Sequence, residues 1–306
     1  MAAASGRPRP IERVLVAGSS GLIGTELVAQ LRAQRIEVVR LVRRTPSAPD
    51  EVNWTPGAGM LDWRVMDDVD AVVNLAGASI SRMPWTKRYI REMTKSRVDA
   101  TRTLCNAMAD AKRAPAVFVS GSAYGYYGDA PGKRLTEESP KGDTVLADLA
   151  AKWEETARLA PSGTRVVTIR TGIVLGPDGL FPLLRRLVRF GLGSHLGSGG
   201  QHWPWVSVQD EARAIIHLLT SGLSGAVNVA GPTPATASRV IEAIAGTVPA
   251  GHVWFTAPQW AIEAVLGEAG RELILASDKV IPARLLADGF EFEHRTVSEA
   301  AAAQVG

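Results

Sequence analysis

Val14-Leu15-Val16-Ala17-Gly18-Ser19-Ser20-Gly21-Leu22-Ile23-Gly24 decides the fold. A short apolar run enters a turn with glycines at 18, 21 and 24, and the apolar-periodic stretch Leu22 to Leu31 follows. A strand, a tight glycine turn and a helix in that order open a dinucleotide-binding unit. Gly18 permits the turn, Gly21 lets the backbone approach a pyrophosphate, and Gly24 lets the helix pack closely on its strand. The helix N-terminus then offers free N–H groups and a partial positive charge to the phosphates. Gly18, Ser19, Ser20, Gly21, Leu22, Ile23 and Gly24 are therefore the expected cofactor loop.

Working outward, short β-rich runs alternate with longer amphipathic stretches up to about residue 170. The runs are Arg13–Ala17, Ile36–Val42, Asp70–Leu75, Ala116–Ser120 and Arg165–Arg170. Their near-continuous Val/Ile/Leu content suits parallel strands covered on both faces. Between them Leu22–Ala33, Thr86–Ala111 and Leu146–Leu159 have helical periodicity. The expected fold is α/β, a Rossmann-type doubly wound parallel sheet with a smaller C-terminal substrate lobe. Residues 11–175 would form the dinucleotide-binding domain and 176–306 a mixed substrate-binding lobe. A strand near 226–229 is placed as returning to the main sheet. After Gly172 the composition turns to Gly/Pro-rich loops, short helices and Trp.

Bulk properties narrow the classes. The chain has 306 residues, 46% hydrophobic and 21% charged, enough for one large globular unit or two joined lobes. There is no run of about 18 apolar residues to span a membrane. Met1–Pro10 is small, polar and Pro-bearing, and reads as a disordered leader rather than a signal peptide. Cys105 is the one cysteine, read as a buried, inert thiol, and a cytoplasmic setting accounts for that usage. A net charge of +3 without a basic block argues against a nucleic-acid partner.

The acidic residue that would hold a ribose 2′-OH belongs about 20 residues after the glycines, at the end of the second strand. That place reads Leu41-Val42-Arg43-Arg44. Two guanidinium groups there would clamp a 2′-phosphate, which favours NADP over NAD, unless Arg43 and Arg44 are merely a solvated loop.

These residues resemble the extended short-chain dehydrogenase/reductases, the group containing sugar-nucleotide epimerases and dehydratases. The glycine turn fits, as do Asn74-Leu75-Ala76-Gly77 and Ser120-Gly121-Ser122-Ala123. More narrowly the chain is similar to the "epimerase family" branch of that group. Trp85, Ser96-Arg97-Val98, Gly125-Tyr126-Tyr127-Gly128, Lys152-Trp153-Glu154, Arg170-Thr171-Gly172-Ile173-Val174-Leu175-Gly176 and Leu266-Gly267-Glu268 carry that likeness in register. The resemblance implies the fold, a nicotinamide cofactor and the loop Asn74, Leu75, Ala76, Gly77 beside it. It does not by itself imply epimerisation.

In that group hydride transfer uses a Ser or Thr, a Tyr general acid/base, a Lys one helical turn later, and an Asn nearby. The Lys cation lowers the Tyr pKa and the Ser hydrogen-bonds the reacting oxygen. Ser122 and Lys152 match, but Asp148 stands where Tyr should be and Arg97 where the pattern has Asn. Asp148 and Lys152 read either as a surface i,i+4 ion pair, or with Lys152 on the cofactor ribose while Tyr126 or Tyr127 supplies the proton, or with Asp148 as a carboxylate base. Tyr124, Tyr126 and Tyr127 follow Ser122, so one or more should face the cleft; aromatic packing is the alternative for each. Arg97 reads as a contact to a cofactor phosphate or substrate anion, or as a plain surface residue.

On the substrate side, Gly191–Trp205 is too Gly-rich to be a fixed element and reads as a lid, or as a flexible connection whose tryptophans pack beneath the following helix. Gln201, Trp203 and Trp205 would be its side chains nearest a substrate. His195 and His202 lack metal-ligand spacing, so no metal is expected. Arg185, Arg186 and Arg189 share one helical stretch and read as a solvated face or a contact for an acidic substrate. Asp210 reads as the N-cap of a helix Glu211–Leu219. The leading expectation is an NADP-dependent oxidoreductase or epimerase-like enzyme acting on a small polar substrate. The alternative is a catalytically degenerate NADP-binding regulatory or scaffold protein. By analogy with the group, a homodimer would form through the helices Thr86–Ala111 and Leu146–Leu159.

Overall fold

In the computed structural model, which describes residues 10–305, seven strands run parallel in one sheet. They are β1 (Arg13–Ala17), β2 (Glu37–Val42), β3 (Glu51–Asn53), β4 (Ala71–Asn74), β5 (Val117–Ala123), β6 (Arg165–Thr171) and β7 (Gly225–Val229). Their order across the sheet is β7-β6-β5-β4-β1-β2-β3. The order reverses beside β1, and ligands of open α/β sheets bind at such a switch point, outside the carboxyl ends of the strands. The stretch Met1–Pro10, read as a leader, lies outside the described residues apart from Pro10.

Strand alternation explains the layers. Val14 and Val16 face one side and meet Leu27 and Leu31 of helix α1 (Leu22–Ala33) and Ile215 of helix α5 (Val208–Thr220). Leu15 and Ala17 face the other side and meet Leu104 and Met108 of helix α2 (Lys87–Asp110) and Ala157 of helix α3 (Val145–Ala157). A sheet buried on both faces needs the continuous apolar strands seen in the sequence. Thr86 and Thr144 cap α2 and α3 by accepting the N–H groups of Tyr89 and Ala147. Cys105 is buried in the second layer, where burial pushes its thiol up to about 12. No helix among the described residues is long and apolar enough to cross a membrane.

Beyond Gly172 the chain leaves the sheet and returns. β7 pairs with β6 over Gly225–Val229, so the late strand does join the main sheet. Helix α4 (Leu180–Arg189), helix α6 (Ala237–Ala245) and the segment Val297–Ala302 gather around Trp203 and Trp205 in a second core. Two expectations need correction here. The N-cap of α5 is Ser207, not Asp210. Asp210 sits one turn further in, fully buried, and accepts the backbone N–H groups of Glu293 (2.8 Å) and His294 (2.9 Å), so it ties the C-terminal segment to α5. Nor is Gly191–Trp205 an unfixed lid. Ser194–Leu196 pairs with Phe255–Ala257, and His202–Trp203 with Ala235–Thr236. The left-handed glycines 191, 197 and 199 make tight turns between these pieces rather than a free loop.

Glu211, on α5, carries the clearest pH dependence. Its carboxyl is fully buried, accepts one hydrogen bond from Thr171 Oγ1 (2.7 Å), and leaves Oε2 unpartnered. Burial pushes its pKa from 4.5 to about 8, against the opposing hydrogen bond from Thr171. The folded chain thus keeps a proton that the unfolded chain releases, and stability falls as pH rises through that window. Glu211→Gln is expected to raise Tm at pH 8.5 by on the order of 3 °C or more, with the two melting curves converging below pH 4.5.

Candidate functional site

The carboxyl ends of the seven strands form one edge of the sheet, and the glycine turn lies on it. Gly18 has φ +85°, and a Cβ there would lie 2.7 Å from the carbonyl carbon of Leu75. A Cβ on Gly24 would lie 2.1 Å from the Gly18 carbonyl oxygen. Both glycines are thus required by the protein itself. Gly21 is different: its φ of −81° suits any residue, and its Cβ would meet only the Gly18 oxygen at 3.5 Å. No side chain caps α1 and its first turn holds no acidic residue. The turn therefore leaves open the close approach and free N–H groups that a pyrophosphate uses.

The loop after β4 completes this wall. Asn74 is fully buried; its Nδ2 donates to Thr101 Oγ1 (2.9 Å) and its Oδ1 accepts the N–H of Ala76 (3.1 Å). It shapes the loop from within. Arg97 reaches under the same loop from α2. Its Nη1 donates to the carbonyls of Ala78 (2.9 Å) and Met93 (3.1 Å), its guanidinium lies 5.0 Å from the Trp153 ring centre, and its Nε has no partner. Among the described residues it forms no ion pair. Burial lowers its pKa to about 10, so a cation without a counter-ion sits beside the loop. An anion at this edge would relieve it.

At the end of β2 the two arginines separate. Arg44 makes a bidentate pair with Glu51 (2.8 and 2.7 Å) and holds that carboxylate down to about 2. Arg43 is exposed and makes no ion pair among the described residues. Of the two, Arg43 has no carboxylate partner among the described residues, while Arg44 serves the β2–β3 junction.

Next along the edge stands a buried polar chain. Ser122, Arg170 and Asn228 lie side by side across β5, β6 and β7. Ser122 Oγ donates to Glu154 Oε1 (2.7 Å), and Arg170 grips both Glu154 oxygens through Nε (2.8 Å) and Nη2 (3.0 Å). Arg170 Nη1 donates to Tyr127 Oη (3.0 Å), which donates to Asn228 Oδ1 (2.6 Å). Burial pushes Tyr127 up to about 12. Two expected catalytic groups are thus committed. Tyr127 is a link in this chain, and Ser122 directs its O–H at Glu154, so toward a ligand it presents lone pairs. Tyr126 is the uncommitted phenol: half-buried, with Arg170 stacked 3.5 Å from its ring centre and no hydrogen bond from its hydroxyl among the described residues. Lys152 is exposed and its Nζ is unpaired among the described residues. Asp148 points away, exposed, and pairs with Lys141 Nζ (2.8 Å) rather than with Lys152. The bond to Lys141 replaces the expected surface pair with Lys152, and exposure together with a pKa held low by Lys141 speaks against Asp148 as a base.

Glu154 and Arg170 were present in the sequence motifs without a role. The signal that marks them is a charge inside a buried apolar run, as in Val166-Val167-Thr168-Ile169-Arg170, because such a charge must find a partner.

Below the edge lies a cavity of about 750 Å³ between Gly125–Asp129, the head of α3 and the segment Gln259–Asp278. Gln201 reaches its wall, held by the carbonyls of Leu196 (2.9 Å) and Ile274 (3.1 Å). Trp203 and Trp205 do not: they are 2% and 1% exposed and donate to the carbonyls of Ile274 and Thr233. Large rings that can satisfy their N–H are core material here, so the packing alternative holds and their placement as substrate contacts does not. Arg185, Arg186 and Arg189 line a separate hollow beside Phe190, away from this cavity.

The parallel sheet, its switch point and its glycine turn define a Rossmann-type fold. The model of the NAD dependent epimerase/dehydratase family matches residues 14–231, and the chain belongs to that family. A second model, a domain of unknown function (DUF1731), matches residues 257–304. The chain is 40% identical to epimerase family protein Mb2239 of Mycobacterium bovis, covering 94% of this chain and 95% of that protein. It is 33% identical to the human epimerase family protein SDR39U1, covering 92% of this chain and 95% of that one. The structure of human SDR39U1 (isoform 2) with NADPH superposes with a TM-score of 0.85 at 31% identity, covering 96% of this chain and 99% of that chain. A nucleoside-diphosphate sugar epimerase from Corynebacterium glutamicum superposes with a TM-score of 0.79 at 30% identity, covering 98% of this chain and 59% of that chain.

Leaving Arg170 buried without its carboxylate should be costly. Glu154→Gln is expected to lower unfolding free energy by about 3 kcal/mol, read by urea denaturation. Ser122→Ala removes one hydrogen bond and should cost about 1 kcal/mol.

Proposed function

We propose that this protein is an NADP-dependent oxidoreductase or epimerase-like enzyme that moves hydride to or from an oxygen-bearing carbon of a small polar substrate. The observation that carries this reading is Gly21, a glycine that nothing in the fold requires, at the uncapped head of α1. The NADPH named for the human relative supports the choice of nucleotide, as does free Arg43.

Bound NADPH would supply a hydride, and NADP⁺ would accept one. The chain's own groups divide the remaining work. The N–H groups of Leu22 and Ile23 hold the pyrophosphate, with half-buried Ser19 and exposed Ser20 beside it. Arg43 meets the 2′-phosphate, and Lys152 Nζ donates to ribose hydroxyls. Leu75, Ala76 and Gly77 form the wall against which the nucleotide lies, with Arg97 behind them. Ser122 Oγ accepts from a substrate hydroxyl, and the Tyr126 hydroxyl exchanges the proton of the reacting oxygen. The reading includes a small-molecule substrate held in the cavity beside Gln201, a cytoplasmic location and a homodimer through α2 and α3, the last resting on analogy with the wider group.

Gly21→Ala is expected to leave Tm within ~1 °C of the parent and weaken NADPH binding at least tenfold, read by nucleotide fluorescence. Arg43→Asp should turn the preference from NADPH toward NADH, while Arg44→Ala should change it little. Absence of NADPH binding by the parent protein would overturn the reading.

A second reading has one specific observation in its favour: the exposed Asp148 stands where the group's acid belongs, and Ser122 directs its O–H at Glu154. It is a catalytically degenerate NADP-binding regulatory or scaffold protein. Tyr126→Phe separates the two. On the enzymatic reading it cuts kcat about 10²-fold or more with nucleotide affinity unchanged; NADPH-loaded protein that never turns over with any carbonyl substrate supports the second reading.

A further inference from the structure

The cavity beside Gly125–Asp129 is rich in carboxylates. Five carboxylates line it against a single guanidinium, Arg271, and one imidazole, His202. Four of the carboxylates are engaged. Glu272 accepts the N–H groups of Val145 (2.9 Å) and Leu146 (2.8 Å) at the head of α3. Glu268 holds Arg271 at 2.7 Å, Glu263 accepts from Gln259 at 2.7 Å, and Asp129 accepts the N–H of Ser277 at 2.9 Å.

Asp278 is the exception. It is 2% exposed, its carboxylate makes no hydrogen bond among the described residues, and its Oδ1 is buried and orphaned against the cavity. A carboxylate in that position needs donors that the protein does not supply. No lysine lines the cavity, and the one guanidinium is already taken by Glu268. His202 adds no positive charge, since burial and then Lys279 lower its pKa.

We propose that Asp278 seats a protonated amine or guanidinium group of the substrate, and that the cavity does not take a nucleoside diphosphate. This rests on the reading of the cavity as the substrate site. A ligand ammonium brings the missing donors and offsets the surplus negative charge; a diphosphate would meet carboxylates with no free cation to receive it. Burial, then Asp129, raises the Asp278 pKa to about 8, so the site holds a proton until a ligand cation replaces it. The substrate class therefore differs from that named for the Corynebacterium relative.

The test uses the full chain, with and without NADPH, and three kinds of probe: α,ω-diamines of three to eight carbons, diols of matched length, and uridine diphosphate. Calorimetry should show binding of at least one diamine and of no diol or uridine diphosphate. Asp278→Asn should weaken diamine binding at least tenfold while keeping Tm equal to or above the parent value. Asp278→Ser gives the same reading if the Asn variant does not fold. The inference is overturned if no diamine binds, if the Asp278 variants bind diamines as the parent does, or if uridine diphosphate binds more tightly than the diamines. Because the diamine arm is read without nucleotide, its failure is distinct from a failure to bind NADPH.

Discussion

The Glu154–Arg170 pair is the constraint on which the carboxyl edge of the sheet depends. Both side chains are almost fully buried, with 2% and 4% exposure. Ions at such a depth survive only when every oxygen and N–H finds a partner. Here Ser122 satisfies Glu154 from β5, while Tyr127 and Asn228 extend the chain from Arg170 to β7. Asn228 passes it on to the carbonyl of Ile281 (2.9 Å), so the C-terminal segment is tied to the edge as well. The same guanidinium stacks on Tyr126 and fixes that ring at the cleft. One ion pair thus sets the positions of a hydroxyl, two phenols and a strand. It also explains why Ser122, though at the expected place, directs its O–H at Glu154.

The glycine turn shows how packing and ligand demands separate within one motif. Gly18 and Gly24 answer to Leu75 and to the turn's own carbonyl, and Gly21 answers to nothing in the protein. The spacing thus contains two glycines that the fold requires and one that it does not. Arg43 and Arg44 divide in the same way, since Glu51 claims the second and leaves the first.

Much of the fold was legible because burial on both faces writes itself as continuous apolar strands separated by amphipathic helices. The limits of α1 and the parallel arrangement follow from periodicity and turn residues, while the return of β7 is fixed by its pairing with β6. The polar side was less legible, because a residue type does not say who its partner is. Asp210 resembled a helix cap but accepts N–H groups from residues 83 and 84 positions away in sequence. Trp203 and Trp205 lay in a glycine-rich stretch and resembled a binding surface. Short strands contributed by residues 173–175, 235–236 and 255–257 fold that stretch into a core. Asp278 left no signal of its own, since its isolation exists only where the C-terminal segment meets the cavity.

The most direct measurement is a crystal structure of the protein grown with NADPH. The pyrophosphate should lie against the N–H groups of Leu22 and Ile23 and within van der Waals reach of Gly21. The 2′-phosphate should meet Arg43, with Arg44 still on Glu51 and the Ser122–Glu154–Arg170 chain unchanged. Nucleotide bound away from this turn, or a Ser122 hydroxyl turned from Glu154 to the nicotinamide side, would contradict the arrangement described for this edge.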